Sequence, residues 1–168
     1  MYPYNLKTKN TPIIAKERTK ESLSADRRLL ELLQMAKQEA ALLEQKYTAL
    51  LQEELLKEAE TVLQTMVTDE KKHQRILQEI LFLLFSDTFQ DLLEDMEPDE
   101  TERKTAAELL EELLFTEMDD ITFFRSLLST IDIPSHTDND LWHLIFEIIT
   151  DKQNHTAALN HLYAKYMK

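Results

Sequence analysis

Two short motifs in this 168-residue chain set acid–base and metal-ligand side chains at helical spacing: Glu70-Lys71-Lys72-His73 and Lys152-Gln153-Asn154-His155. A third group, Glu117, stands between them. Residues three or four apart share one helix face, so Glu70 points with His73, and Lys152 with His155. Carboxylate and imidazole groups arranged in this way suit a single Fe, Mn or Zn ion. With an ammonium among them, the same groups can instead close into an ion-pair network that needs no cofactor. No Ser-His-Asp arrangement emerges. The chain has no cysteine, so thiolate ligands, disulfides and a Cys nucleophile are excluded. It has no glycine, which excludes GxGxxG and Walker A loops and argues against a β-rich fold.

The elements that must carry these groups are helices. Four apolar stripes run at spacings of three and four, the pattern of an amphipathic helix. Helix A reads Leu29, Leu33, Ala36, Ala40, Leu43, Tyr47, Leu50. Helix B reads Ala59, Leu63, Met66, Glu70, His73, Leu77, Ile80, Leu84. Helix C reads Ala107, Leu110, Leu114, Glu117, Ile121, Phe124, Leu128. Helix D reads Leu141, Ile145, Ile148, Lys152, His155, Leu159, Leu162, Tyr166. Pro134-Ser135 separates C from D, with Asp138, Asn139 and Asp140 as cap candidates. Residues 87–100, which include Pro98, form a long B–C connection. No breaker lies between A and B; a turn is expected near residue 56, because one helix over 22–86 would be too long for a small domain.

The polar groups interrupt their stripes at mid-length and at one level. Glu117 and the midpoint of Lys152/His155 are centred on 135–136. At a rise of ~1.5 Å per residue, each lies roughly 27 Å from the expected C–D turn. Ala40 is the residue of helix A level with Glu70 and His73. Buried charges must be paired or metal-bound, so the spacing predicts a core cluster of Glu70, His73, Glu117, Lys152 and His155. Glu70, Glu117 and Lys152 sum to −1, and one protonated histidine neutralises them. Two divalent ions would leave +3 with only two carboxylates to bridge them, so an ordinary dinuclear centre is not expected. A metal-free cluster is the favoured reading. The alternative is one Fe, Mn or Zn ion on Glu70, His73, Glu117 and His155.

These residues resemble the ferritin-like superfamily, whose di-iron carboxylate members place a Glu on each of two helices and Glu-x-x-His on the other two. Glu70-x-x-His73 resembles the first such motif. Glu117 with Phe124 seven residues on resembles the lone-Glu helix of the rubrerythrin branch, and Lys152-x-x-His155 the second motif with Lys for Glu. Ala40, with Tyr47 seven residues on, stands where the other lone Glu is expected. Glu39 is adjacent but about 100° around the helix, outside the stripe. The resemblance implies an all-α, antiparallel four-helix bundle with a long crossover between helices B and C and a degenerate metal site. The chain also resembles small ferritin-like proteins of spore-forming bacilli named as spore coat proteins, the coat-F-like group. That implies a structural protein assembled, as a homodimer or with other subunits or coat proteins, into the spore coat; the opening MYPYNLKTKN has no apolar h-region, so the chain is expected to be cytoplasmic when made. A mononuclear oxidoreductase and a helical protein-binding module are the alternatives.

Charge and hydropathy bound the partners. Net charge is −13, yet residues 1–20 carry five basic groups against Glu17, which leaves 14 basic and 31 acidic groups, a balance of −17, on 21–168. Residues 1–20 therefore read as an extended basic arm and 21–168 as the bundle. An acidic body disfavours nucleic acid. The apolar run 80–85 is far shorter than the ~20 residues that span a bilayer, and reads as a buried helix end or a subunit interface. Tyr2, Tyr4, Lys7 and Lys9 could serve as cross-linking sites, or as a plain tail. His136, His143 and His161 fall off the stripes, and Trp142 is expected to cap the bundle end.

Overall fold

A computed structural model describes residues 20–85, 104–130 and 138–167. Residues 1–19 of the expected arm 1–20, the connection 87–100, the Pro134-Ser135 turn and His136 lie outside the described residues, and Lys20 opens a helix rather than ending an arm. Within them the chain is all-α. α1 spans Lys20–Leu50, α2 Glu60–Phe85, α3 Ala106–Thr130 and α4 Asp138–Tyr166. No strand occurs among the described residues. No helix among them is long and apolar enough to cross a membrane.

Helix ends are made without glycine. At the end of α1 the ladder tightens: the Gln52 amide donates to Ala49 and the Glu53 amide to Leu50, each at 3.1 Å. Such i→i−3 bonds satisfy terminal carbonyls that otherwise lack a donor. Extended backbone at Glu53 then starts a 3₁₀ turn, Glu54–Ala59, which runs directly into α2. Leu56, 1 % exposed, anchors this turn to the core. The break expected near residue 56 is thus a 3₁₀ segment. α3 opens with a capping box: the Thr105 amide donates to Glu108 Oε2 at 2.8 Å, and the Glu108 amide returns a bond to Thr105 Oγ1 at 3.3 Å. α4 begins at Asp138 itself, so Asp138, Asn139 and Asp140 form its first turn rather than precede it. The negative charge of Asp140 in this turn suits the helix dipole.

The core is in two apolar halves. One gathers Leu33 of α1, Ile80 and Leu84 of α2, Phe124 and Leu127 of α3, and Ile145 and Ile148 of α4. The other gathers Tyr47 and Leu50, Leu63 and Met66, Leu110 and Leu113, and Leu159 and Leu162. Every residue of the helix B stripe is buried. Helix C differs from expectation. Leu113 and Leu127 are buried, whereas Leu114 and Leu128 are only half-buried. The inward face of α3 is therefore rotated toward the 113–120–127 row, and it brings Asp120 inside. Within 80–85, Ile80, Leu81 and Leu84 are buried and Phe82 is partly exposed. Trp142 does not cap the bundle end: it is exposed and stacks on Phe146, with ring centroids 5.0 Å apart. α1 packs broadly on α2 and α3 on α4, while α1 meets α3 only sparsely.

Truncating a core leucine in either half leaves a cavity as well as lost burial. Leu63→Ala or Leu77→Ala should cost about 2–5 kcal/mol in urea unfolding. Met35→Ala, at an exposed position, should stay within about 0.5 kcal/mol.

Candidate functional site

Between the two apolar halves lies a polar layer. α2 supplies Glu70 and His73, α3 supplies Glu117 and Asp120, and α4 supplies Lys152 and His155. Glu70, His73 and Glu117 are fully buried, and Lys152 and His155 are 2 % exposed. Lys152 sits at the centre. Its Nζ lies 2.7 Å from Asp120 Oδ2, 3.0 Å from Glu117 Oε2 and 3.2 Å from Glu70 Oε1. An ammonium has three N–H donors and no acceptor, and here it faces three carboxylates. Burial alone would lower the lysine pKa. Glu70, Glu117 and Asp120 overcome it and raise that pKa above its ordinary value.

Crossed aspartates favour the protonated form of both histidines. His155 donates from Nδ1 to Glu117 Oε1 and from Nε2 to Asp69 Oδ2, both at 3.0 Å. Burial opposes its charge, but Asp69, Glu117 and Glu70 push its pKa up to about 11. His73 places Nε2 3.0 Å from Asp151 Oδ2 and Nδ1 3.3 Å from Glu70 Oε2. Its pKa is raised too, against burial, by Asp151 and Glu70. Asp69 precedes Glu70 on α2 yet serves His155 on α4; Asp151 precedes Lys152 on α4 yet serves His73 on α2. Lys72 closes the α2/α4 seam, 2.6 Å from Asp151 and 3.5 Å from Asp69. Burial would raise the Glu70 carboxyl, but Lys152, His155 and His73 hold it well below the usual carboxylate range.

α1 contributes no charge to the centre. Ala40, 3 % exposed, packs instead within the apolar half that holds Leu33 and Ile80. The Tyr47 hydroxyl donates to Glu117 Oε1, and burial followed by the Glu117 charge raises that phenol well above its usual pKa. Glu39 is exposed as a residue, yet its carboxyl end is desolvated beside Asp120 and is pushed up to about 7.

The five residues expected from spacing thus meet in one layer. The ligand set is smaller than expected. Glu70, Glu117 and His155 each offer one ligand atom, all within 4.8 Å of one another, and His73 is not part of that group. This donor set does not fit a metal ion as arranged. Lys152 Nζ already touches both carboxylates. A histidine ligand must also be neutral, whereas both nitrogens of His155 are committed to carboxylates. His143 and His161 are exposed and outside the layer. Sequence reasoning missed Asp69, Asp120 and Asp151 as members and Tyr47 as a donor. Asp120 follows Glu117 by three residues, the spacing used in both other motifs. Asp69 and Asp151 each lie four residues before a motif histidine, a repeat visible in the sequence. No family model matches the chain, and neither a curated protein nor a solved structure matches it.

The layer has a defined pH response. His155 has a folded pKa above its unfolded value, so its stabilisation is complete below about pH 6.5. That stabilisation is lost as pH rises through about 11. Glu70 and Asp151 are depressed, so theirs is present above the ordinary carboxylate range and lost in acid. Asp69→Asn should bring the His155 pKa down toward its ordinary value, with the alkaline limb of the melting curve following it. An NMR titration of the His155 ring checks this; a midpoint that stays near 11 would separate Asp69 from the effect.

Proposed function

We propose that this chain is a non-catalytic structural protein of the ferritin-like superfamily, an antiparallel four-helix bundle with a long crossover between its second and third helices. In this reading, a lysine has taken the place of a metal centre. The observation that carries it is the Lys152 ammonium within 3.2 Å of Glu70, Glu117 and Asp120. A divalent ion in a carboxylate bundle neutralises converging negative charge and ties helices together. Here an ammonium meets the same carboxylates, and two imidazolium groups balance the rest. Its fixed charge turns over no substrate, and its groups are shut away from solvent. The fold alone decides nothing, since ferritin-like bundles host unrelated activities. The role would be architectural, in assembly with its own copies, other subunits or coat proteins, in line with the resemblance to spore coat proteins. Exposed Phe115, Phe146 and Trp142 offer apolar surface for such contacts.

A second reading, a mononuclear metal-binding oxidoreductase, draws on the convergence of Glu70, Glu117 and His155. It requires Lys152 to leave and His155 to lose a proton. The two readings part on metal content and on melting. Protein purified without chelator should contain well under one Fe, Mn or Zn per chain by elemental analysis.

Lys152→Met strands buried carboxylates and should cost about 3–5 kcal/mol. Lys152→Glu should be less stable still without metal, and Fe²⁺ or Mn²⁺ should restore part of its melting temperature. Wild type should gain nothing from either ion. A wild-type protein that holds stoichiometric metal, or that is stabilised by it, would overturn the structural reading in favour of the metal-binding one.

A further inference from the structure

The outer side of α3 and α4 carries two exposed stripes that the buried layer does not use. On α4, Trp142, Phe146, Gln153, Asn160 and Ala164 are exposed, at spacings of four and seven that keep them on one helix face. Trp142 and Phe146 stack there. This face of α4 is free of charge. Between 141 and 164 the one exposed charged residue of α4 is Glu147, which lies 3.2 Å from Lys72 on the α2 side. On α3, Glu111, Phe115, Met118, Thr122 and Arg125 are exposed at spacings of four and three, again one face. Glu112, which meets Lys46, marks the α1 side of α3. The α3 stripe is turned about 100° from it, toward α4.

Both stripes are centred at one height. Lys152 meets Asp120 at 2.7 Å and His155 meets Glu117 at 3.0 Å, so Met118 stands level with Gln153. Each stripe is also complementary to itself when reversed about that height. On α3, Glu111 and Arg125 lie equally far from Met118 and carry opposite charges. Neither has an ion-pair partner among the described residues. Phe115 and Thr122 flank Met118 more closely, a large side chain on one side and a small one on the other. On α4, Trp142 and Ala164 lie equally far from Gln153, as do Phe146 and Asn160. We propose that this face binds a second copy of the chain about a two-fold axis that crosses the helices at Met118 and Gln153. α3 then lies antiparallel on α3 and α4 on α4. Glu111 of each copy meets Arg125 of the other, and each aromatic ring of α4 meets a smaller side chain.

Charge and pattern select a second copy as the occupant. A chain of net charge −13 repels its own copy, so self-contact is least opposed where the facing charges cancel, as Glu111 and Arg125 do. An isologous contact needs a surface complementary to itself. A face shaped for an unrelated partner has no reason to balance about its own midpoint. The size also suits. At ~1.5 Å per residue the stripe from 142 to 164 is about 33 Å long, and two neighbouring helices make the face ~20 Å wide. That is of the order of the ~800 Å² per partner that a standard interface buries. Trp142 and Phe146 are the kind of rigid aromatic anchor that dominates interface energetics. Such a dimer takes up the assembly that the architectural reading calls for. Its surface holds no residue of the buried layer, so it stands whether or not that layer binds metal.

Sedimentation equilibrium of the full chain over a concentration series tests this. The wild type should reach twice the 19.8 kDa of one chain. Met118→Glu sets two carboxylates face to face on the axis and should leave a monomer, with wild-type helix content by circular dichroism. Glu111→Arg or Arg125→Glu alone should weaken the dimer about tenfold or more, because like charges then oppose each other. The double variant Glu111→Arg/Arg125→Glu should recover wild-type association. An equimolar mixture of the two single variants should recover it too, as a heterodimer. A wild type that stays monomeric would leave this face to a different partner and overturn the self-pairing. So would a dimer indifferent to Met118→Glu, or a double variant that associates no better than the single ones. None of these outcomes turns on metal content, so failure here and failure of the architectural reading are seen separately.

Discussion

An ammonium only 2 % exposed sets the terms for the helices around it. Taking such a charge out of water costs several kcal/mol, so carboxylates must come to it. Glu70 arrives from α2, and Glu117 and Asp120 from α3. Three carboxylates around one cation leave negative charge over. His155 and His73, whose protonated forms the layer favours, face it and in turn meet Asp69 and Asp151. Those two aspartates share Lys72 at the seam, which is partly exposed. Compensation thus runs outward from the lysine, one shell at a time, until it reaches water. Each shell crosses between helices, so the whole layer exists only in the folded arrangement.

α1 takes part without adding charge. Ala40 is buried among apolar residues. Tyr47, one heptad on, supplies a neutral donor to Glu117 instead. The helix without an ionised group in the layer also meets α3 sparsely, while it packs broadly on α2.

The stripes of α2 and α4 hold apolar doublets, Ile76-Leu77, Ile80-Leu81 and Ile148-Ile149, but both members of each are buried, so the chosen residues face inward either way. α3 was ambiguous for a specific reason. Leu113-Leu114 and Leu127-Leu128 are doublets, so periodicity alone cannot choose between two faces about 100° apart. Choosing Leu114 and Leu128 left Asp120 outside, and packing against α1 and α4 decides for Leu113 and Leu127. Asp69 and Asp151 were hidden by a different effect. An aspartate beside a core position reads as a solvated shoulder, and its partner on the next helix becomes visible only once the register is known. The level of Glu117 with Lys152 could be judged from chain distances alone, and the two side chains meet at 3.0 Å. Tyr47 showed its position in the sequence but not its task, because a phenol on an apolar stripe packs equally well without a bond.

Stability and specificity pull in different directions in such a layer. Replacing a buried ion network by apolar side chains of similar volume is often neutral or stabilising, so net stability is a poor reason for its presence. What leucines cannot do is reject a slipped alignment. The apolar stripes above and below the layer repeat every three or four residues. Sliding α4 by one turn, ~5.4 Å, would still set isoleucine and leucine against leucine. The same slip would carry Lys152 into the Ile80 and Ile145 half, or into the Leu63 and Leu159 half. It would leave Glu70, Glu117 and Asp120 facing one another without a cation. A stranded buried charge costs more than a few misplaced methyl groups, because hydrocarbon contacts are interchangeable and ion pairs are not. From this we infer that the layer earns its place as a register lock. It holds three helices at one height in a chain that has neither glycine nor disulfide.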